Sequence, residues 1–133
     1  MKNCIQLIAI DKIRSHERTF SRRVECLVRA IKMEGIIRRP IIVDKQSFIV
    51  LDGHHRVEAL RRLGAIRVPA YLVDYQSSQV RVYLRRKYLS MKMIKQAVLY
   101  CGMTGMEFPV KTTRHLIQNR PGIKNISLAV LLP

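Results

Sequence analysis

The chain has 133 residues, 48% of them hydrophobic, with 25 Lys or Arg against 9 Asp or Glu and a formal net charge of +16. This length and apolar content suit one folded domain, or one domain with a C-terminal extension, built on a real core. The 3 cysteines, Cys4, Cys26 and Cys101, are odd in number and far apart, which excludes a paired disulfide framework and a zinc-type spacing and points to a reducing cytoplasm.

In chain order, Met1 to Ile10 is short, contains Gln6 and runs into Asp11-Lys12, so it reads as a strand rather than a signal or a membrane span. Ser21 can cap a helix with Val24, Leu27, Val28 and Ile31 inward, Arg22, Arg23, Arg29 and Lys32 outward, and Gly35 as its stop. Pro40 to Asp44 and Phe48 to Leu51 read as two strands of a hairpin. A second helix from about His54 to Leu63 has Val57 and Leu60 buried and stops at Gly64. Val68 to Asp74 is a further strand, with Pro69 near its start. Gln79 to Arg85 alternates polar and apolar, and Ser90 to Tyr100 is helical with Met91, Ile94 and Val98 inward, closed by Gly102. The last thirty or so residues, with Pro109, Pro121 and Gly122, carry no clear periodicity. The order is an α+β pattern, divided as a domain over 1–88, with a small mixed sheet and flanking helices, and a short, mainly helical extension over 89–133.

The chemistry concentrates in Asp52-Gly53-His54-His55-Arg56, between a strand and a helix. Unpaired N–H groups and the positive end of the helix dipole favour an anion there, Gly53 permits a tight turn, and Arg56 can pair with phosphate oxygens. Asp52 is equally suited to capping the helix. A double histidine can also bind metal, but no third ligand lies at a recognisable spacing. Beyond Asp74 the only acid is Glu107, so the basic field attracts nucleic acid, nucleotides or acidic partners.

Residues 5 to 74 resemble the ParB/sulfiredoxin-like superfamily, through the helix ending in Gly35, Pro40-Ile41-Ile42-Val43, and Gly53-His54-His55-Arg56-Val57-Glu58-Ala59. Sulfiredoxins place a nucleophilic cysteine where this chain has His54, so sulfinic-acid reduction is excluded. More narrowly the chain resembles the free L-serine kinases, at Ser15-His16-Glu17, at Asp52 to Arg56, and at Phe108-Pro109-Val110-Lys111-Thr112-Thr113-Arg114-His115. Val110 stands where that family has proline, and with no tryptophan in the chain Tyr83 is placed near the substrate instead.

The resemblance implies phosphoryl transfer from ADP or ATP to free L-serine, giving O-phospho-L-serine. By that resemblance Glu17 is the general base, with Glu25 as the backup. Gly53, His54, His55 and Arg56 bind the donor phosphates. Asp52 holds Mg²⁺, directly or through water. Thr113, Arg114 and His115 grip the amino acid, although Thr-Thr-Arg-His reads equally as a capped helix start on a basic surface. The rival is a ParB-like nucleotide- and DNA-binding partition or regulatory protein. Under either reading nucleic acid binds the basic surface only non-specifically, and no membrane is involved.

Overall fold

A computed structural model describes residues 5–84, 91–106, 113–117 and 120–133, with the side chains of 82–84 and 113–114 outside that description. Strand β1 (Ile5–Ala9) leads to helix α1 (Ser21–Glu34) and then β2 (Ile36–Ile37), β3 (Ile41–Asp44), β4 (Val50–Asp52), α2 (His54–Arg62) and β5 (Arg67–Val73). Beyond these lie β6 (Val80–Leu84), α3 (Met91–Thr104), β7 (Thr113–Ile117) and β8 (Ile126–Ser127). The main sheet has the order β1-β5-β3-β4. Within it β3 runs parallel to β5, while β1 is antiparallel to β5 and β4 to β3. The expected α+β class holds, and the C-terminal part contains strands as well as its helix.

Both faces of this sheet are covered, which explains the unbroken apolar run Ile41-Ile42-Val43 of β3, buried along with Asp44 at its end. Ile41 and Val43 point into a core shared with Val24, Ile31, Val57 and Leu60 of α1 and α2. Ile42, one residue out of phase, points into a second core with Ile94 and Val98 of α3 and Val80 of β6. The unassigned C-terminus closes the structure at two places. His115 lies on β7, which pairs with β6, and β8 pairs with β2, so Leu131 returns fully buried to the first core.

Three local expectations are corrected. Ser21 does not cap α1: it is the first helical residue, and Phe20 precedes it without a side-chain capping bond. Asp52 does not cap α2 either, since Gly53 stands at the cap position and the Asp52 carboxylate is held by arginines. Gly102 does not close α3, which continues to Thr104 before Gly105. Gly102 instead lies against Ile49, where a Cβ would come within 2.5 Å of Ile49 Cδ1. Gly102→Ala is therefore expected to lower stability by about 1–3 kcal/mol despite alanine's better helix propensity. Chemical denaturation measures this, and a stabilised variant would contradict the packing.

Candidate active site

The site forms where the segment after β1 passes the turn between β4 and α2. Arg14 bridges Ile49 in parallel: its N–H donates to Phe48 O at 2.8 Å, and its carbonyl accepts from Val50 N at 2.7 Å. This pairing lays Ser15-His16-Glu17 beside β4. His16 is fully buried, and its Nδ1–H donates to Val50 O at 2.8 Å. Burial, partly opposed by that hydrogen bond, pushes its pKa down to about 4.

Gly53 makes the turn into α2 with φ +106°, a conformation side chains resist, and a Cβ there would meet Ile41 Cγ2 at 2.7 Å. Helical bonding begins with Val57 N to Gly53 O, which sets the amides of residues 54–56 in the first turn of α2.

The side chains of the motif are turned more inward than the sequence suggested. His54 is buried, and its Nε2 accepts the main-chain N–H of His16 at 3.3 Å. A neutral ring accepting at Nε2 carries its proton on Nδ1, and Nδ1 lies 3.8 Å from Glu17 Oε2. Burial, followed by the nearby rings of His16, His115 and His55, keeps the His54 pKa well below the ordinary imidazole value. His55 Nε2 accepts the N–H of Phe20 at 3.0 Å and ties the start of α1 to α2. Arg56 donates to Pro40 O at 2.7 Å and to Asp52 Oδ2 at 3.3 Å. Asp52 also accepts from Arg120 at 2.5 Å. Burial would raise the Asp52 pKa, but the two guanidiniums outweigh it, so the carboxyl stays below its usual range and ionised.

His115 is brought close to this group but faces inward. Its Nε2 lies 2.8 Å from Tyr75 Oη, and a main-chain hydrogen bond with Leu51 engages the ring as well. Its ring centroid is 5.6 Å from that of His16, and burial pushes its pKa down to about 3. Lys95 sits over the Tyr75 ring at 5.3 Å and donates to Ser77 O. Thr113 opens strand β7, which overturns the helix-start alternative. The side chains of Thr113, Arg114 and Tyr83, and all of Phe108 to Thr112, lie outside the described residues. Glu25 is an exposed residue of α1.

Beside Glu17 opens a cleft of about 730 Å³, walled by His54 and Glu58 of α2, by Arg14 and Arg18, and by Met103 and Thr104 at the end of α3. A smaller apolar pocket of about 200 Å³ lies between α1 and β2, with Leu27 and Ile37 in its walls and Arg39 and Arg56 at its edge.

Ligand atoms of His16, Glu17 and His54 lie within 4.8 Å of one another, a group that takes in one histidine of the pair but not His55. Their protonation opposes a metal, however: His54 Nδ1 carries a proton, which leaves its lone pair on Nε2 turned to His16 N–H. Sequence reasoning missed His16, Tyr75 and Arg120. His16 lay inside a quoted motif, whereas Arg120 is 68 residues from Asp52 with no local signal.

Residues 1–87 match the family model of the ParB N-terminal domain. The chain belongs to the ParB N-terminal domain family. Within it, 80 residues are 34% identical to an ADP-dependent L-serine kinase of Thermococcus kodakarensis, covering 57% of this chain and 33% of that protein. A match to an ATP-dependent L-serine kinase of Staphylothermus marinus is 38% identical over 80 residues, covering 57% and 32%. The chain thus spans about a third of the length of these curated relatives. By fold, this ParB-family chain superposes on a free serine kinase in complex with AMP with TM-score 0.84 at 17% identity, over 99% of this chain and 95% of the other. A conserved hypothetical protein from Pyrococcus furiosus gives TM-score 0.84 at 18% identity, over 96% and 97%.

The buried histidines make a pH prediction. Unfolded imidazoles take up a proton near pH 6.5, while folded His16 and His115 resist until about 4 and about 3. Between those limits the unfolded chain binds more protons, so their contribution to stability is intact above pH 6.5 and is lost as pH falls through that window. Thermal unfolding from pH 7.5 to 4 is expected to show a falling Tm, with a shallower acid slope in His16→Asn. Equal slopes in the two proteins would contradict the assignment.

Proposed function

We propose that this protein transfers a phosphoryl group from ADP or ATP to the hydroxyl of free L-serine, giving O-phospho-L-serine. The observation that carries the reading is Glu17, a carboxylate held 3.8 Å from His54 Nδ1 at the wall of a cleft, beside the N-terminus of helix α2. The names of the serine-kinase relatives support it.

In this reading the serine hydroxyl oxygen attacks the terminal phosphorus of the donor and its proton passes to Glu17. The new O–P bond forms as the bridging P–O bond breaks, and its electron pair leaves with the nucleotide, as AMP from ADP or ADP from ATP. Phosphoryl transfer relies on placement and charge neutralisation, and the site has both. The main-chain amides of residues 54–56 and the arginines face the transferred group, and the small apolar pocket near Arg39 and Arg56 takes the nucleoside. Gly53 lets the donor approach the backbone, while the rings of His54 and His55 order the turn. Thr113 and Arg114 hold the amino acid, and His115 anchors their strand through Tyr75. Residues 1–88 then serve as the nucleotide-binding part, and 89–133 complete the substrate site.

Mg²⁺ fits one feature of the site: Asp52 is an ionised, partly exposed oxygen donor, and this ion commonly takes one or two carboxylates together with substrate phosphates. Asp52 is the residue that would hold it, with Arg56 and Arg120 setting the carboxylate's orientation. When bound, the ion supplies charge neutralisation on the donor phosphates.

The free cysteines and the absence, among the described residues, of a helix long and apolar enough to cross a membrane support a cytoplasmic setting. The rival DNA-reading function is disfavoured because, among the described residues after β6, α3 is followed by strand β7 rather than by a second helix. The net charge of +16 still supports non-specific nucleic-acid binding.

The decisive assay incubates the protein with Mg²⁺, L-serine and ADP or ATP and detects phosphoserine by mass spectrometry. Product with one donor supports the reading, and none with either from folded protein sinks it. Glu17→Gln is expected to lose about 10²- to 10⁴-fold in turnover while still binding nucleotide; an unchanged rate would remove Glu17 as the base. Nucleic acid is expected to be retained at low salt and shed steeply as salt rises, and sequence-specific retention at physiological salt would favour the rival.

A further inference from the structure

We infer that His54 is a positioning residue that sets the Glu17 carboxylate through its Nδ1–H, rather than a ligand of the donor phosphates. The inference rests on the kinase reading above, in which Glu17 is the base.

Both ring nitrogens of His54 already have a direction. A main-chain N–H can only donate, so the contact from His16 N makes Nε2 an acceptor and puts the proton of the neutral ring on Nδ1. That proton faces Glu17 Oε2, which lies 3.8 Å from Nδ1, a separation of the kind that tightens into a hydrogen bond when substrate binds. The ring is clamped as well as directed. It packs edge-on against His16 with centroids 4.5 Å apart, and His16 is itself tied to Val50 O and fully buried.

The side chains of His54 and Glu17 are 6% and 11% exposed, so little water competes for the contact. A ring in this state has no second N–H to offer a phosphate. The neutral form also suits the task, because an imidazolium next to Glu17 would hold the carboxylate ionised and weaken it as a base, whereas a neutral donor orients it at smaller cost in basicity. Adjacent positions therefore divide the work: backbone amides for the donor, the first histidine for the base, the second for the start of α1.

Two substitutions separate the roles by shape. The amide nitrogen of asparagine falls where histidine has Nδ1, and that of glutamine where histidine has Nε2. His54→Gln is expected to lose about a hundredfold in kcat with KM for ADP or ATP nearly unchanged, since a misplaced base costs on that order. His54→Asn should recover much of that loss. In the Glu17→Gln background His54→Gln should cost little more, because a residue acting only through Glu17 has nothing left to position.

A KM for nucleotide raised about tenfold or more in both single variants, with kcat kept, would overturn the inference in favour of a phosphate ligand. So would full additivity with Glu17→Gln. If His54→Gln does not fold, the same cycle run with His54→Ala, which also removes the Nδ1–H, decides between additivity and its absence. A normal turnover in Glu17→Gln alone would instead remove the kinase base itself, so the two failures are distinguishable.

Discussion

The hydrogen bond from the main chain of His16 to Nε2 of His54 is the contact on which the site depends. It joins two segments 38 residues apart, selects one tautomer of a buried ring, and turns the opposite nitrogen to Glu17. Removing its acceptor would strand a buried N–H, a loss of about 1–3 kcal/mol in comparable settings. Much of the nearby architecture serves this contact. The Arg14–Ile49 bridge brings the His16 segment alongside β4, and Gly53 turns the chain so sharply that the first helical residue faces back across that strand.

The distribution of charge around this contact follows the same logic. The histidines His16, His54 and His115 are buried and held neutral, so they provide direction without adding to a net charge already at +16. The arginine charges sit further out, where Arg56 and Arg120 converge on Asp52 and Arg14 and Arg18 line the cleft. In the kinase reading a donor nucleotide would bring several negative charges, and these cations would be placed to receive them. Lys95 is buried as well, held by Ser77 O and the face of Tyr75, as are the carboxylates of Glu17 and Asp44.

What could be read from the sequence was mostly local. The 3.6-residue spacing from Val24 to Ile31, the apolar run of Ile41 to Val43 and the glycine at the β4–α2 turn each point to the element found. The C-terminal strands could not be read this way, because β7 and β8 are short and owe their existence to partners about 35 and 90 residues earlier in the chain. Gly102 misled for a related reason: glycine commonly ends a helix, and only the side chain of Ile49, brought in from β4's side of the sheet, explains it mid-helix. In the site, residue identities were legible as a motif, but the direction of each ring was not. Whether a histidine faces a phosphate or a carboxylate is set by one main-chain N–H, and nothing in the spacing of residues 52 to 56 encodes where that N–H will lie.

The most direct test of the account is the protonation state of one ring. Nitrogen-15 NMR of the imidazole side chains at neutral pH, with His54 assigned by its loss in His54→Asn, reports the tautomer without reference to activity. The account predicts a neutral His54 with its proton on Nδ1 and an accepting Nε2. A ring protonated on Nε2, or an imidazolium, would contradict it.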